Sequence, residues 1–221
     1  MKRILCFIFS LLLFALMFSG CTKGTKTTSD KDAKTNDAQT SSSAAAGDDS
    51  QETLQGGEKI KVTMENGGNF IIELYPQMAP ETCANFVSLV KSHFYDGLTF
   101  HRVVDNFMAQ GGSKDGKGYE GSGKTIKGEF AANGFTRNTL KHTRGVVSMA
   151  RATDPNSASS QFFICYEAKD FLDGNYAAFG KVIEGMEVVD DFCKVERTYN
   201  GTDSSPATPV EPIIIKSMEV I

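Results

Sequence analysis

From residue 59 onward the chain is a succession of short runs with the two-residue alternation of extended backbone, separated by turn formers, and this pattern limits the available folds more than any other feature. Lys59 to Met64 and Asn69 to Tyr75 flank Glu65-Asn66-Gly67-Gly68, and Asn-Gly between two such runs is a strong hairpin signal. Further strand candidates are Leu98 to Val104, Phe107 to Gln110, a short piece near Ile126 to Phe130, Val146 to Ala150, Gln161 to Tyr166, Ala177 to Ile183 and Ile213 to Val220. Two helices interrupt them. Pro80 suits a first helical turn, and Cys83, Phe86, Val87 and Val90 follow the spacing of a buried stripe. The second helix runs from about Gly185 to Lys194, with Val189, Phe192 and Cys193 inward. So many short strands with so little helix to cover them point to an all-β, closed antiparallel barrel, because closure leaves no unpaired edge.

Within that pattern Phe100 to Gly112 does not read as a core strand. Arg102 is a permanent cation set among Phe100, Phe107 and Met108, with Gln110 just beyond and two glycines closing the run. An arginine in such surroundings either lays its stem on an aromatic and sends its head to water or a carboxylate, or it serves a ligand. Strict alternation puts Phe100, Arg102 and Val104 on one face, and Met108 and Gln110 together on another piece of strand. Phe107 joins them only if Asp105-Asn106 bends the chain. A cation, an aromatic, a thioether and an amide converging in this way suit a shallow pocket for an apolar ring with polar backbone beside it.

Three blocks then carry a family resemblance: Phe100 to Gly112, Gly145-Val-Val-Ser-Met-Ala-Arg151 with Ser159-Ser-Gln-Phe-Phe-Ile164, and Phe171-Leu-Asp-Gly174 with Phe179-Gly-Lys-Val182. In order and spacing over most of residues 59 to 221 they resemble the cyclophilins, the peptidyl-prolyl cis-trans isomerases. The resemblance implies an eight-stranded closed antiparallel barrel capped by two α-helices. It implies Arg102 as the catalytic donor and a seat for the prolyl ring made by Phe107, Met108, Phe163 and Leu172. Gln110 and Gln161 would hold the adjoining peptide backbone, Ala150 would lie beside the residue preceding proline, and Phe171 and Tyr176 would complete the substrate site. In the run Phe162-Phe163, the assignment of one ring inward and one to the pocket comes from the resemblance alone. Phe171 stands where many members have Trp and Tyr176 where many have a pocket His, which implies weakened binding of cyclosporin. Arg151, where Asn is frequent, adds a charge at the rim.

The first 58 residues read differently. Lys2-Arg3 precede an apolar run, Ile4 to Ser19, that is short for a membrane span and is followed by small residues, so residues 1–20 read as a signal peptide. Phe18-Ser-Gly-Cys21 resembles a bacterial lipobox, with Phe18 where Leu is usual, which implies a lipid-anchored Cys21 at the cell membrane, facing outside the cytoplasm; an uncleaved signal anchor, or ordinary signal cleavage with Cys21 incidental, is the alternative. Residues 21–58 carry almost no large apolar side chain after the cysteine and read as a disordered tether, leaving 59–221 as the isomerase domain.

The remaining composition excludes more than it adds. A net charge of -4 and the absence of a basic run beyond Lys2-Arg3 give no footprint for nucleic acid. Cys83, Cys165 and Cys193 form no metal-ligand spacing and are expected as buried, inert thiols; no metal or cofactor is expected. The glycine-rich stretch Gly111 to Gly128, with Lys114, Lys117 and Lys124, reads as a surface loop beside the pocket rather than a phosphate cradle. The functional expectation is therefore a monomeric, membrane-tethered isomerase acting on proline-containing peptides and unfolded secreted proteins. A proline-peptide-binding chaperone or scaffold with little turnover is the competing reading. A hydrolase built from Cys83, Ser148 and His101 is a weaker third, because no Gly-x-Ser-x-Gly elbow exists.

Overall fold

The computed structural model describes residues 54–221; Cys21, the segment read as a signal peptide and most of that read as a tether lie outside them. Ten strands are described: β1 (Lys59–Met64), β2 (Asn69–Leu74), β3 (Thr99–Val104), β4 (Met108–Ser113), β5 (Val146–Met149), β6 (Phe162–Cys165), β7 (Ala178–Glu184), β8 (Arg197–Thr198), β9 (Thr208–Pro209) and β10 (Ile213–Val220). Eight of them close a barrel in the order β1-β10-β3-β4-β6-β5-β7-β2, every pair antiparallel, while β8 and β9 form a small separate hairpin. The chain is tied to the barrel from Gly57, whose N–H donates to the Leu74 carbonyl at 2.8 Å.

Alternation decides what fills the barrel. Along β6, Phe162 and Ile164 enter the interior cluster, while Phe163 and Cys165 belong to a separate cluster on the other face. The interior is an aromatic stack: Phe86 lies 5.2 Å from Tyr95, 5.4 Å from Phe162 and 5.0 Å from Phe179. Fully buried rings of this size each remove a large apolar area from water.

Helix α1 (Pro80–Lys91) delivers Phe86 to that stack and buries Cys83, Val87 and Val90 beside it, as its periodicity requires. Its first turn has no local side-chain cap, since Ala79 stands at the cap position. The orphan N–H groups are met from far away instead. Glu129, buried, accepts from the Glu81 and Thr82 N–H groups at 3.0 and 2.8 Å and from the Thr82 hydroxyl at 2.7 Å. A carboxylate there also complements the positive end of the helix.

The second helical segment is shorter than its periodicity suggests. It divides into α2 (Met186–Asp190) and a 3-10 turn (Asp191–Lys194), so Phe192 still reaches Phe100 at 4.8 Å but Cys193 is only partly buried rather than inward. Two valines and two aspartates in one short run carry little intrinsic helicity, and packing of Phe192 sets the geometry.

The glycine-rich stretch is a loop, as expected. Gly118 to Thr125 carries the Gly-x4-Gly-Lys-Thr spacing of a phosphate cradle, yet it lies in the connection between β4 and β5 and no helix opens at Lys124. Its backbone is committed elsewhere, with the Ser122 N–H on Ser159 Oγ at 2.9 Å and the Ile126 N–H on the Ala158 carbonyl at 2.8 Å. Ile126 makes only that isolated bridge, so the stretch to Phe130 is a loop.

Candidate active site

The site lies on the outer face of the sheet formed by β3, β4 and β6, where an irregularity in β3 places Arg102. Between β3 and β4, Phe100 pairs with Gly111 and Arg102 with Gln110, which leaves His101 as an extra residue in the ladder. That bulge reverses the parity expected from strict alternation. Phe100 faces the interior, as does Val103, while Arg102 and Val104 turn outward together. The bend at Asp105-Asn106 is also present, with Asn106 at φ +56°, and it brings Phe107 to the same side as Met108 and Gln110.

Arg102, Phe107, Met108, Gln110, Ala150, Phe163, Leu172 and Tyr176 line one cleft of about 130 Å3. Its floor is the apolar cluster Met108, Phe163, Cys165 and Leu172, all buried. Gln161 lines an adjoining cleft of about 210 Å3 with Ala150, Arg151 and Tyr119, and a third of about 480 Å3 runs beyond Arg102 past His101, Lys117 and Asn200. Gln110 borders all three, so the clefts form a continuous groove about it.

A row of hydrogen bonds orders the polar side. Arg102 Nη1 donates to Gln110 Oε1 at 3.1 Å, Gln110 Nε2 to Gln161 Oε1 at 2.9 Å, and Gln161 Nε2 to the Gly118 carbonyl at 3.0 Å. The other edge of the guanidinium is held by Asp203, with Nε to Oδ2 at 2.8 Å and Nη2 to Oδ1 at 2.5 Å. That ion pair, with the carboxylate nearly buried, keeps the Asp203 carboxyl below its ordinary range. The first sequence reading of the arginine is met, since its head pairs with a carboxylate, and the same group lines an apolar cleft. Asp203 has no signal in the sequence, where Asn200-Gly201-Thr202-Asp203 reads only as a turn.

Behind the cleft floor runs a second polar chain. His142 Nδ1 lies 2.9 Å from Asp173 Oδ1 and its Nε2 lies 3.0 Å from Ser148 Oγ. With the carboxylate facing Nδ1, the ring carries its proton there and Nε2 accepts from the serine hydroxyl. The imidazole is fully buried and stacked on Phe163, 6.1 Å between centroids at 15°. Burial pushes its pKa down despite the Asp173 hydrogen bond, so it is neutral at pH 7. A Ser-His-Asp set in this form is no hydrolase, because Ser148 has no exposed surface. The thiol candidate fares no better: burial pushes Cys83 up to about 12, and it does the same to Cys165. His101, also buried, is pushed down, and its Nδ1 has no partner among the described residues.

One residue stands elsewhere than the sequence implied: Phe171 is 65% exposed and lies outside the cleft, its ring resting 5.8 Å from Phe107. Arg151 lines both adjoining clefts; its guanidinium stacks 4.6 Å over Tyr176 and 5.1 Å from Phe130, and donates to the Asn175 carbonyl at 3.0 Å. Arg151 and Tyr176 thus form one packed unit.

Residues 59–220 match the family model of the cyclophilin type peptidyl-prolyl cis-trans isomerases. A peptidyl-prolyl cis-trans isomerase of Acinetobacter baylyi is 45% identical over 157 residues, covering 68% of this chain and 81% of that protein. Peptidyl-prolyl cis-trans isomerase B of Bacillus subtilis is 46% identical over 124 residues, covering 56% and 82%. Among solved structures, a Cryptosporidium parvum cyclophilin in the presence of the dipeptide Ala-Pro superposes with a TM-score of 0.63 at 32% identity, covering 76% of this chain and 99% of that one. A closed eight-stranded barrel with a cation at the mouth of an apolar cleft, together with these similarities, places the chain in the cyclophilin-type peptidyl-prolyl cis-trans isomerase family.

Proposed function

We propose that this isomerase lowers the barrier to X-Pro rotation by seating the prolyl ring on Met108, Phe163 and Leu172 while Arg102 donates to the prolyl nitrogen. An X-Pro bond rotates slowly because its nitrogen is conjugated with the carbonyl, and no bond need break to change that. In the twisted state the nitrogen regains a lone pair, so a donor aimed at it stabilises that state more than either planar isomer. The observation that carries this reading is the guanidinium held at the edge of the apolar cleft with its Nε/Nη2 side fixed by Asp203 and Nη1 steadied by Gln110. Gln110 and Gln161 hold the peptide backbone on either side, and Ala150 meets the residue before proline. A pure binding module has no use for a donor so placed. Exchange NMR on a short X-Pro peptide, with wild type and Arg102→Ala compared, separates turnover from binding: retained turnover in a folded Arg102→Ala protein moves the reading to a proline-binding chaperone.

The setting of this activity is part of the proposal. Lys2-Arg3, the apolar run to Ser19 and Ser19-Gly20-Cys21 support a signal peptide cut before a lipid-bearing Cys21, with the domain acting on secreted or envelope proteins outside the cytoplasmic membrane. Mass spectrometry of the membrane fraction is expected to find an acylated Cys21 as the first residue; an intact Met1 or a soluble, unmodified chain overturns it.

A further inference from the structure

The carboxylate that grips Arg102 comes from a loop remote from it in sequence, and it is built into place. Asp203 sits in the loop between β8 and β9, 101 residues from Arg102 in sequence. Asn200 fixes this loop. Its Oδ1 accepts from the N–H groups of Thr202 and Asp203, each at 2.9 Å, and its Nδ2 donates to Asp203 Oδ2 at 2.7 Å. The hairpin that carries the loop is in turn docked on β3 beside the arginine. The Val103 N–H donates to the Ala207 carbonyl at 2.8 Å, and Arg197 Nη1 reaches the Val103 carbonyl at 3.1 Å and Asp105 Oδ1 at 2.8 Å. The side chain of Asp203 is 11% exposed, against 28% for Arg102, so the pair is largely withdrawn from water. A paired, partly desolvated carboxylate of this kind holds geometry in a way that a surface ion pair does not.

The consequence lies in which donors remain. A guanidinium has five N–H groups in a fixed plane. Asp203 takes Nε–H and one Nη2–H, and Gln110 takes one Nη1–H. Two are left among the described contacts, one on each terminal nitrogen. The side-on grip thereby fixes the plane of the group and turns its far edge to the cleft.

We propose that Asp203 is a positioning residue for isomerisation, holding the Arg102 guanidinium side-on so that its free terminal N–H groups are presented to the prolyl nitrogen. This rests on Arg102 being the donor. Without Asp203 the arginine keeps its charge and its place in β3 but samples rotamers about its long side chain, so peptide still binds while fewer bound molecules are in the productive geometry. A displacement of about 1 Å at a reacting centre can lower a rate by about a hundredfold. The effect belongs in kcat, with KM nearly unmoved.

The test compares wild type, Arg102→Ala, Asp203→Ala and Asp203→Asn as full chains. Peptide titrations supply kcat and KM, thermal melting reports the fold, and NMR follows the Arg102 Nε–H. Asp203→Ala is expected to lower kcat by between about ten- and a hundredfold, with KM changed less than about threefold. Asp203→Asn, of the same size and retaining one acceptor oxygen, is expected to fall between it and wild type. The Nε–H signal, sharp and slow to exchange in wild type, is expected to broaden in both. A kcat at or above wild type in folded Asp203→Asn and Asp203→Ala overturns the proposal, as does a loss confined to KM or an Arg102 signal that does not change. If Asp203→Ala does not fold, Asp203→Asn alone decides. The two readings fail separately: full activity in Arg102→Ala removes the donor, whereas an inactive Arg102→Ala beside a fully active Asp203→Ala removes only the positioning role.

Discussion

Two chains of hydrogen bonds flank the apolar cleft, similar in chemistry and opposite in setting. Asp203-Arg102-Gln110-Gln161 runs along the rim, its arginine partly exposed and facing a groove. Asp173-His142-Ser148 runs behind Phe163, its imidazole without exposed surface. In the first, donors are left over and face the cleft; in the second, each polar atom named is consumed by its neighbour. The first can therefore act on a ligand, and the second can only hold the wall that the ligand rests against. Hydrogen-bond geometry alone does not mark a catalytic group; access does.

The sharpest test of this division uses one substitution on each side. Removing a positioned donor at a site of developing charge typically costs about 2.7 to 4 kcal/mol in the transition state, a hundred- to a thousandfold in rate. Arg102→Ala is thus expected to lose most turnover while staying folded, with a smaller loss of stability because the Asp203 carboxylate is left without its partner, and Arg102→Lys to rescue little, since a point charge lacks the planar fork. His142→Ala is expected to do the reverse. It strands Ser148 Oγ and Asp173 and opens space beneath Phe163, so stability is expected to fall by up to about 3 kcal/mol, with the surviving folded protein retaining part of its rate. If calorimetry and exchange NMR show the two variants losing the same quantity, the distinction between rim and wall is wrong.

Acidification separates the regions without mutation. His142 and His101 are both held below the ordinary histidine value of about 6.5 by burial, so in the native state they stay neutral while the unfolded chain takes up protons. Stability is therefore complete above about pH 6.5 and declines as pH falls from there toward the depressed native values. Asp203 is lowered for a different reason, its hydrogen bonds with Arg102, and contributes with the same sign at lower pH: that stability is present above its ordinary 3.8 and is lost as pH falls through its lower native value. Between about pH 6 and 4.5 melting temperature is expected to drop while kcat of the folded fraction, measured at low temperature, holds nearly level. A kcat that tracks the melting curve would join the two networks into one.

The smallest effect concerns the rim position that departs from the family. Phe171 leans on Phe107 and lacks an indole N–H. Phe171→Trp is expected to tighten cyclosporin by about 1 kcal/mol, one hydrogen bond with little added burial at so exposed a site. Equal dissociation constants by fluorescence titration would show that the missing donor is irrelevant there.

The sequence by itself determined the barrel, its strands and the apolar floor of the cleft. Alternation is a local property: Phe162 and Ile164 must share a face, as must Phe163 and Cys165, whatever lies opposite, and the three motif blocks keep their spacing along the chain. Which of those faces turned inward was settled only when eight strands closed on each other. The bulge at His101 was equally hidden, because an extra residue in a ladder is defined by the partner strand; it sends Arg102 outward while Phe100 stays inside. The cap on α1 by Glu129, the turn of Arg151 onto Tyr176 and the grip of Asp203 on Arg102 share one character. Each joins a polar group to a partner remote in the chain or around a bend. Short-range periodicity carries no information about such pairs, since a charge on a turn reads the same whether it ends in water or on a guanidinium a hundred residues away, and only the docking of the β8-β9 hairpin against β3 decides between them.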